Sequence, residues 1–93
     1  MNPSPIPKRI NEALVSRKVE DELLIVDQEN DKIHQLNSSA AFIWSQCDGN
    51  NSVEDIVMKT FAKFDIDEAQ IRKDVNSNLE NLIELDLIEY IEH

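Results

Sequence analysis

The chain has 93 residues, 41% of them apolar and 30% charged, which supports one modest hydrophobic core and excludes both a disordered polymer and a multidomain assembly. Its net charge is −10, with residues 1–19 at +3 and residues 20–93 at −13. Such a field repels nucleic acid, whose binding depends on cations that displace phosphate counterions.

Pro3, Pro5 and Pro7 stand at every second position near the start. Lacking amide hydrogens, they are expected to keep residues 1–8 out of any ladder or helix, as an extended, flexible arm before one folded domain over 9–93. Strand-like sequence runs from Ala13 to Asn37, with β-branched Val15 and Val19 in one segment and the apolar run Leu23–Val26 in the next. Polar residues 28–32 separate these from Ile33–Leu36. If Asn30-Asp31 is a two-residue hairpin turn, Ile25 pairs with Leu36 and Asp27 with His34 on one face, while Leu24, Val26 and Ile33 share the other. Both faces are then partly apolar, unusual for a sheet with one wet side.

The remainder reads as helical. Asn37, Ser38 and Ser39 offer capping oxygens ahead of the stripe Ala40, Ile43, Trp44 and Cys47, and Asp48-Gly49 stops it, the only glycine standing where a left-handed residue is wanted. Ser52 with Asp55 forms a capping box before Val53, Ile56, Val57, Phe61 and Phe64. Asp67, with Gln70 at the reciprocal position, starts a third helix whose buried face is Ile71, Val75, Leu79 and Leu82. That helix ends near Leu85-Asp86, and 87–91 suits a short terminal strand. The fold class is therefore α+β: a three-stranded antiparallel N-terminal sheet, three helices, and a short C-terminal strand.

Catalytic or metal chemistry finds no support. The histidines are His34 and His93, and the lone Cys47 lies on an apolar stripe. Zinc needs three or four clustered ligands, and a general base needs a nucleophile and an orienting partner. A single glycine rules out a phosphate-cradling loop. Asp65, Asp67 and Glu68 lack the glycine and distal glutamate of a calcium loop. Trp44, Phe42, Phe61 and Phe64 fit a helical core better than a base-stacking platform. No catalytic residue, metal site or cofactor is expected, and the chain is not expected to be an enzyme. With no apolar run long enough for a membrane span, no secretory pattern in MNPSPIPKRINEAL and one cysteine, a cytoplasmic protein without membrane contact is expected.

The order of these segments resembles the PqqD family, the small proteins of pyrroloquinoline quinone biosynthesis and their relatives in other peptide-modifying pathways. The resemblance covers residues 22–90. It rests on a strand ending in Leu36-Asn37, on Ala40-Ala41-Phe42-Ile43-Trp44, on Asp48-Gly49, on Ser52-Val53-Glu54-Asp55-Ile56, and on Asp74-Val75 before Leu79 through Ile88. Asp86 replaces the family's usual glycine, and Ser52 its usual threonine.

The resemblance implies a winged-helix-like fold that binds the leader of a ribosomally made precursor peptide and presents it to a modifying enzyme, such as one of the radical S-adenosylmethionine type. In that family the leader adds as a strand to the third strand's edge, with the third helix as the groove's other wall. Carried onto this chain, the expected peptide-binding residues are Lys32, Ile33, His34, Gln35 and Leu36 on the strand, and Arg72, Val75, Asn76 and Leu79 on the helix. A monomer or weak homodimer is expected. Two rivals stand beside this reading: a winged-helix transcription regulator, opposed by the negative charge, and a structural dimerisation module using the same strand edge.

Overall fold

A computed structural model describes residues 5–10 and 14–91. In chain order they form β1 (Ile6–Arg9), β2 (Leu14–Val19), β3 (Glu22–Asp27), β4 (Lys32–Leu36), α1 (Ser38–Gln46), α2 (Val53–Phe64), α3 (Glu68–Glu84) and β5 (Ile88–Ile91). Strands β2-β3-β4 make an antiparallel meander, and β1 pairs antiparallel with β5 in a separate two-stranded ribbon.

The expectation that the prolines keep residues 1–8 out of a ladder does not hold for β1. Alternate strand residues point their backbone groups to the same side, so prolines spaced by two put every missing amide on one edge. That edge faces the α1–α2 connection and uses carbonyls: Pro5 O accepts from Val53 N at 2.8 Å and Pro7 O from Gly49 N at 3.2 Å. Ile6 and Lys8 keep their amides for the β5 side, and Pro7 is fully buried. Residues 1–4, the rest of the expected arm, lie outside the described residues, as does Ala13 at the start of the expected strand-like run.

The β3–β4 hairpin also differs from expectation. Ile25 faces His34, Leu23 faces Leu36 and Asp27 faces Lys32, a register two residues away from that of a two-residue turn. The cause is the Asp27 carboxylate, which accepts from Asn30 N at 3.1 Å and Asn30 Nδ2 at 2.8 Å. It closes a four-residue loop with Asp31 at φ 56°. A slip of two preserves the assignment of faces.

Each helix begins where its capping residue stands. Asn37 accepts from Ala40 N at 2.9 Å. Ser52 and Asp55 make both bonds of a capping box. Asp67 accepts from Gln70 N at 3.3 Å, although the Gln70 amide turns forward to Asp74 rather than closing a reciprocal box. Gly49 has φ 82°, one residue later than expected; a Cβ there would meet the Lys8 side chain at ordinary contact distance, so the left-handed backbone is what favours glycine. Spacings of four, four and three put Ile71, Val75, Leu79 and Leu82 on one face of α3. They join Ile25, Leu36, Ile43, Trp44, Ile56, Val57, Leu87 and Ile88 in a single core.

Candidate functional site

β3 is central in the meander, so one side of β4 has no strand partner among the described residues. An unpaired edge presents a row of amide donors and carbonyl acceptors at strand spacing, a template for another extended chain. Two turn features position it: the Asp27 cap at one end, and at the other Asn37, which ends the strand by starting α1. Hydrogen bonds from the Asn30 side chain and backbone, together with the nearby His34 charge, hold the Asp27 carboxyl below the usual range. That turn is thus locked while Asp27 is ionised.

The two faces of β4 differ. Leu36 is buried on the inner face, where His34 is half-buried with its Nε2 lacking a hydrogen-bond partner. Buried polar atoms are normally satisfied, so this enclosed nitrogen is an unmet polar position beneath the edge. Ile33, on the outer face, is 70% exposed, and Val15 and Val19 are nearly half exposed beside half-buried Leu24 and Val26. The outer face is therefore the unusually apolar one. Gln35 spans it, its Nε2 donating to Glu22 Oε1 at 2.9 Å.

The residues expected on α3 fall into three environments. Val75 and Leu79 are core residues, 0% and 1% exposed, and present no surface to a ligand in this state. Arg72 makes a bidentate pair with Glu54 of α2, Nη1 to Oε2 at 2.6 Å and Nη2 to Oε1 at 2.8 Å. Asn76 is exposed. Leu36, Val75 and Leu79 thus meet in one core, Lys32, Ile33, Gln35 and Asn76 lie at the surface, and Arg72 ties two helices together. The aromatic residues divide as well: Trp44 is core, whereas Phe42 and Phe64 are half-buried and stack edge to face.

Cys47 is fully buried, with Sγ donating to Ile43 O at 3.2 Å, and burial pushes its thiol up to about 12. No group of three or more metal-ligating side chains occurs among the described residues. None of the helices there is long and apolar enough to cross a membrane.

Fold and edge together define a small winged-helix-like α+β domain whose three-stranded sheet has β2 and β4 as its outer strands. The chain belongs to the PqqD family: the model for coenzyme PQQ synthesis protein D matches residues 22–88. Two solved structures share its fold. One is described as TbiB1 in complex with the TbiA(beta) leader peptide, with a TM-score of 0.76 and 24% identity, covering 91% of this chain and 99% of that one. The other is lasso peptide synthetase B1 complexed with the leader peptide, with a TM-score of 0.76 and 14% identity, covering 90% and 98%. No curated protein sequence matches significantly.

Proposed function

We propose that this chain is a non-catalytic peptide-binding protein that takes the leader of a ribosomally made precursor as an added strand along β4 and presents it to a modifying enzyme. The observation that carries this reading is the unpaired edge of Lys32–Leu36; the sheet's other outer strand, β2, also has one unpaired side, and the family resemblance selects β4. Two structures of the same fold were determined with leader peptides, which supports it.

The energetics suit a transient carrier. A five-residue edge offers roughly four to six ladder bonds at ~1 kcal/mol each. One or two side chains buried against the inner face near His34 add ~2 kcal/mol apiece. These sum to roughly 6–10 kcal/mol before the cost of ordering a flexible leader, so a weak and reversible complex is expected. Lys32 supplies a charge to an acidic leader side chain. On α3, Asn76 is the accessible member of the expected groove wall. Val75 and Leu79 would shape the groove from beneath.

An amide-shift titration with the leader segment of its cognate precursor peptide tests the proposal. Perturbations should concentrate on Lys32–Leu36 and the exposed flank of α3. Unchanged β4 amides at saturating leader would overturn it.

A further inference from the structure

The outer face of the meander carries one cross-strand row that backbone pairing of a leader does not account for. Register puts Val15 opposite Val26 and Val26 opposite Ile33, so three apolar side chains stand abreast across β2, β3 and β4. Val26 in the middle is half-buried, whereas Val15 is 48% and Ile33 70% exposed. Ile33 is the most exposed large apolar side chain among the described residues. An isolated exposed apolar residue is ordinary on a protein surface. This one ends a row, and its strand is the one to which the leader is proposed to add. On the inner side, by contrast, Leu36, Val75 and Leu79 are already covered by the chain's own core.

We infer that the row continues into the leader: the leader residue abreast of Ile33 is β-branched or aromatic, and its side chain covers Ile33 on the outer face. This inference rests on the leader reading and names the class of leader that the site selects. Strand addition fixes the geometry, since the partner of Ile33 must project to the same side of the sheet, with its Cβ about 5 Å away. At that distance an apolar side chain removes water from both partners, and β-branched and aromatic pairs are the favoured ones. A charged side chain there would lose hydration over Ile33 and gain no partner, because the row holds no charge. The next outer-face row differs: Arg17, Leu24 and Gln35 stand abreast, and Gln35 is held by Glu22. A leader residue two positions from the apolar one therefore meets a polar neighbour, so the selected pattern on that face is apolar, then polar. The opposite edge offers no such template. β2 has exposed Arg17 and Lys18 within the strand, the kind of cations that blunt an edge, whereas the cation of β4 is its first residue, Lys32.

The test uses the full chain with labelled amides and isoleucine methyls, a synthetic peptide of the cognate leader, and that peptide's single-serine variants. A soluble gadolinium chelate broadens the signals of exposed methyls. At saturating leader the Ile33 δ1 methyl should lose most of that broadening, while the buried methyls of Ile25 and Ile43 do not change. Ile33→Thr keeps the β-branch at a surface position, so it should fold normally and bind the leader roughly five- to tenfold more weakly. Val15→Thr, at the far end of the same row, should leave leader affinity within about twofold. Across the serine variants, one apolar leader position should matter less in Ile33→Thr than in wild type, which identifies the partner of Ile33.

A leader that protects the Lys32–Leu36 amides while the Ile33 methyl stays accessible sinks this inference and spares the leader reading. Wild-type affinity in Ile33→Thr does the same. A coupled leader position that is charged, or none at all, also overturns it. So does an Ile33 methyl that shifts with protein concentration alone, which would assign the row to a second copy of the chain. Unperturbed β4 amides at saturating leader sink both.

Discussion

Asp86 shows how much one backbone torsion can decide. It closes α3 at φ 59°, with Asp86 N bonded to Ile83 O at 3.1 Å and Leu87 N to Leu82 O at 3.0 Å. These two bonds are the Schellman pattern, in which a left-handed residue precedes an apolar one that folds back onto the last turn. Leu87 and Leu82 are both buried, so the pattern anchors β5 to the core. A side chain in the left-handed region is strained, and aspartate tolerates it only in part. Asp86→Gly should therefore stabilise the chain by about 0.5–1 kcal/mol, read as a rise of roughly 2–8 °C in thermal melting. An unchanged or lower melting point would show that the aspartate carries no strain. Caps and stops of this kind were legible in the sequence because they depend on one residue type at one offset: Asn37, Ser52 with Asp55, Asp67 and Asp86 all stand where their chemistry requires. Cys47 was legible too, as a core residue. Its thiol is raised to about 12, so it should resist Ellman's reagent at pH 8 in the native chain and react fully in urea. The sign follows from the raised value. The thiol's contribution to stability is complete below the ordinary thiol range and is lost as pH climbs through that range toward 12.

Among the elements, the strands were harder to read than the helices. A helix announces itself by a stripe and a cap, both local. A strand's partner and register depend on groups far away in sequence. β1 was missed because prolines usually forbid a ladder, and here their spacing of two turns the missing amides to the side away from β5, where Pro5 and Pro7 use their carbonyls and the next residue in phase, Arg9, donates to Cys47 O. The β3–β4 register was displaced by two because Asp27 caps a wider loop than Asn30-Asp31 alone would make. The faces survived, and with them the legible part of the site: an apolar strand with both sides partly unsatisfied. The expected helix wall was less legible, since burial of Val75 and Leu79 and the Arg72–Glu54 pair depend on how α2 and α3 pack. That pair is exposed, so Arg72→Ala should cost less than about 1 kcal/mol in urea unfolding and leave leader affinity within about twofold. A larger loss of affinity would make Arg72 a leader contact that exchanges partners on binding. If the leader adds to β4, the amides of Lys32–Leu36 that point away from β3 should become slow to exchange in the complex, while those already bonded to β3 change little. Uniform slowing across the strand would indicate general stiffening rather than strand addition.

The whole molecule carries its acidity as a cost to folding as well as a filter on partners. Hydrogen bonds in turns and caps lower the pKa of Asp27, Asp48 and Asp55, through Asn30, through the Asn50 amide and through Ser52 respectively. Lowered carboxyls contribute stability above their unfolded values, and that contribution disappears as pH falls through the folded ones. Acid should therefore loosen the β3–β4 turn at Asp27, the α1–α2 connection at Asp48 and the α2 cap at Asp55. At neutral pH the opposing term is mutual repulsion among the charges behind a net of −10. Its reach can be compared with the size of the protein, whose radius of gyration is 13.1 Å. At an ionic strength of about 0.01 M the screening length is ~30 Å, so every charge feels every other; at about 1 M it is ~3 Å, and only neighbours interact. Salt also weakens Arg72–Glu54, but one exposed pair is worth too little to reverse the balance. Sodium chloride across that range should raise the melting temperature at pH 7, most steeply at the low end where the screening length crosses the molecular radius. A flat or falling curve would mean that compaction does not increase the repulsion, because local pairing of charges already offsets it. The same experiment on leader binding should separate backbone from charge: strand addition through amides and carbonyls is nearly indifferent to salt, whereas pairing of Lys32 with a leader carboxylate weakens as salt rises.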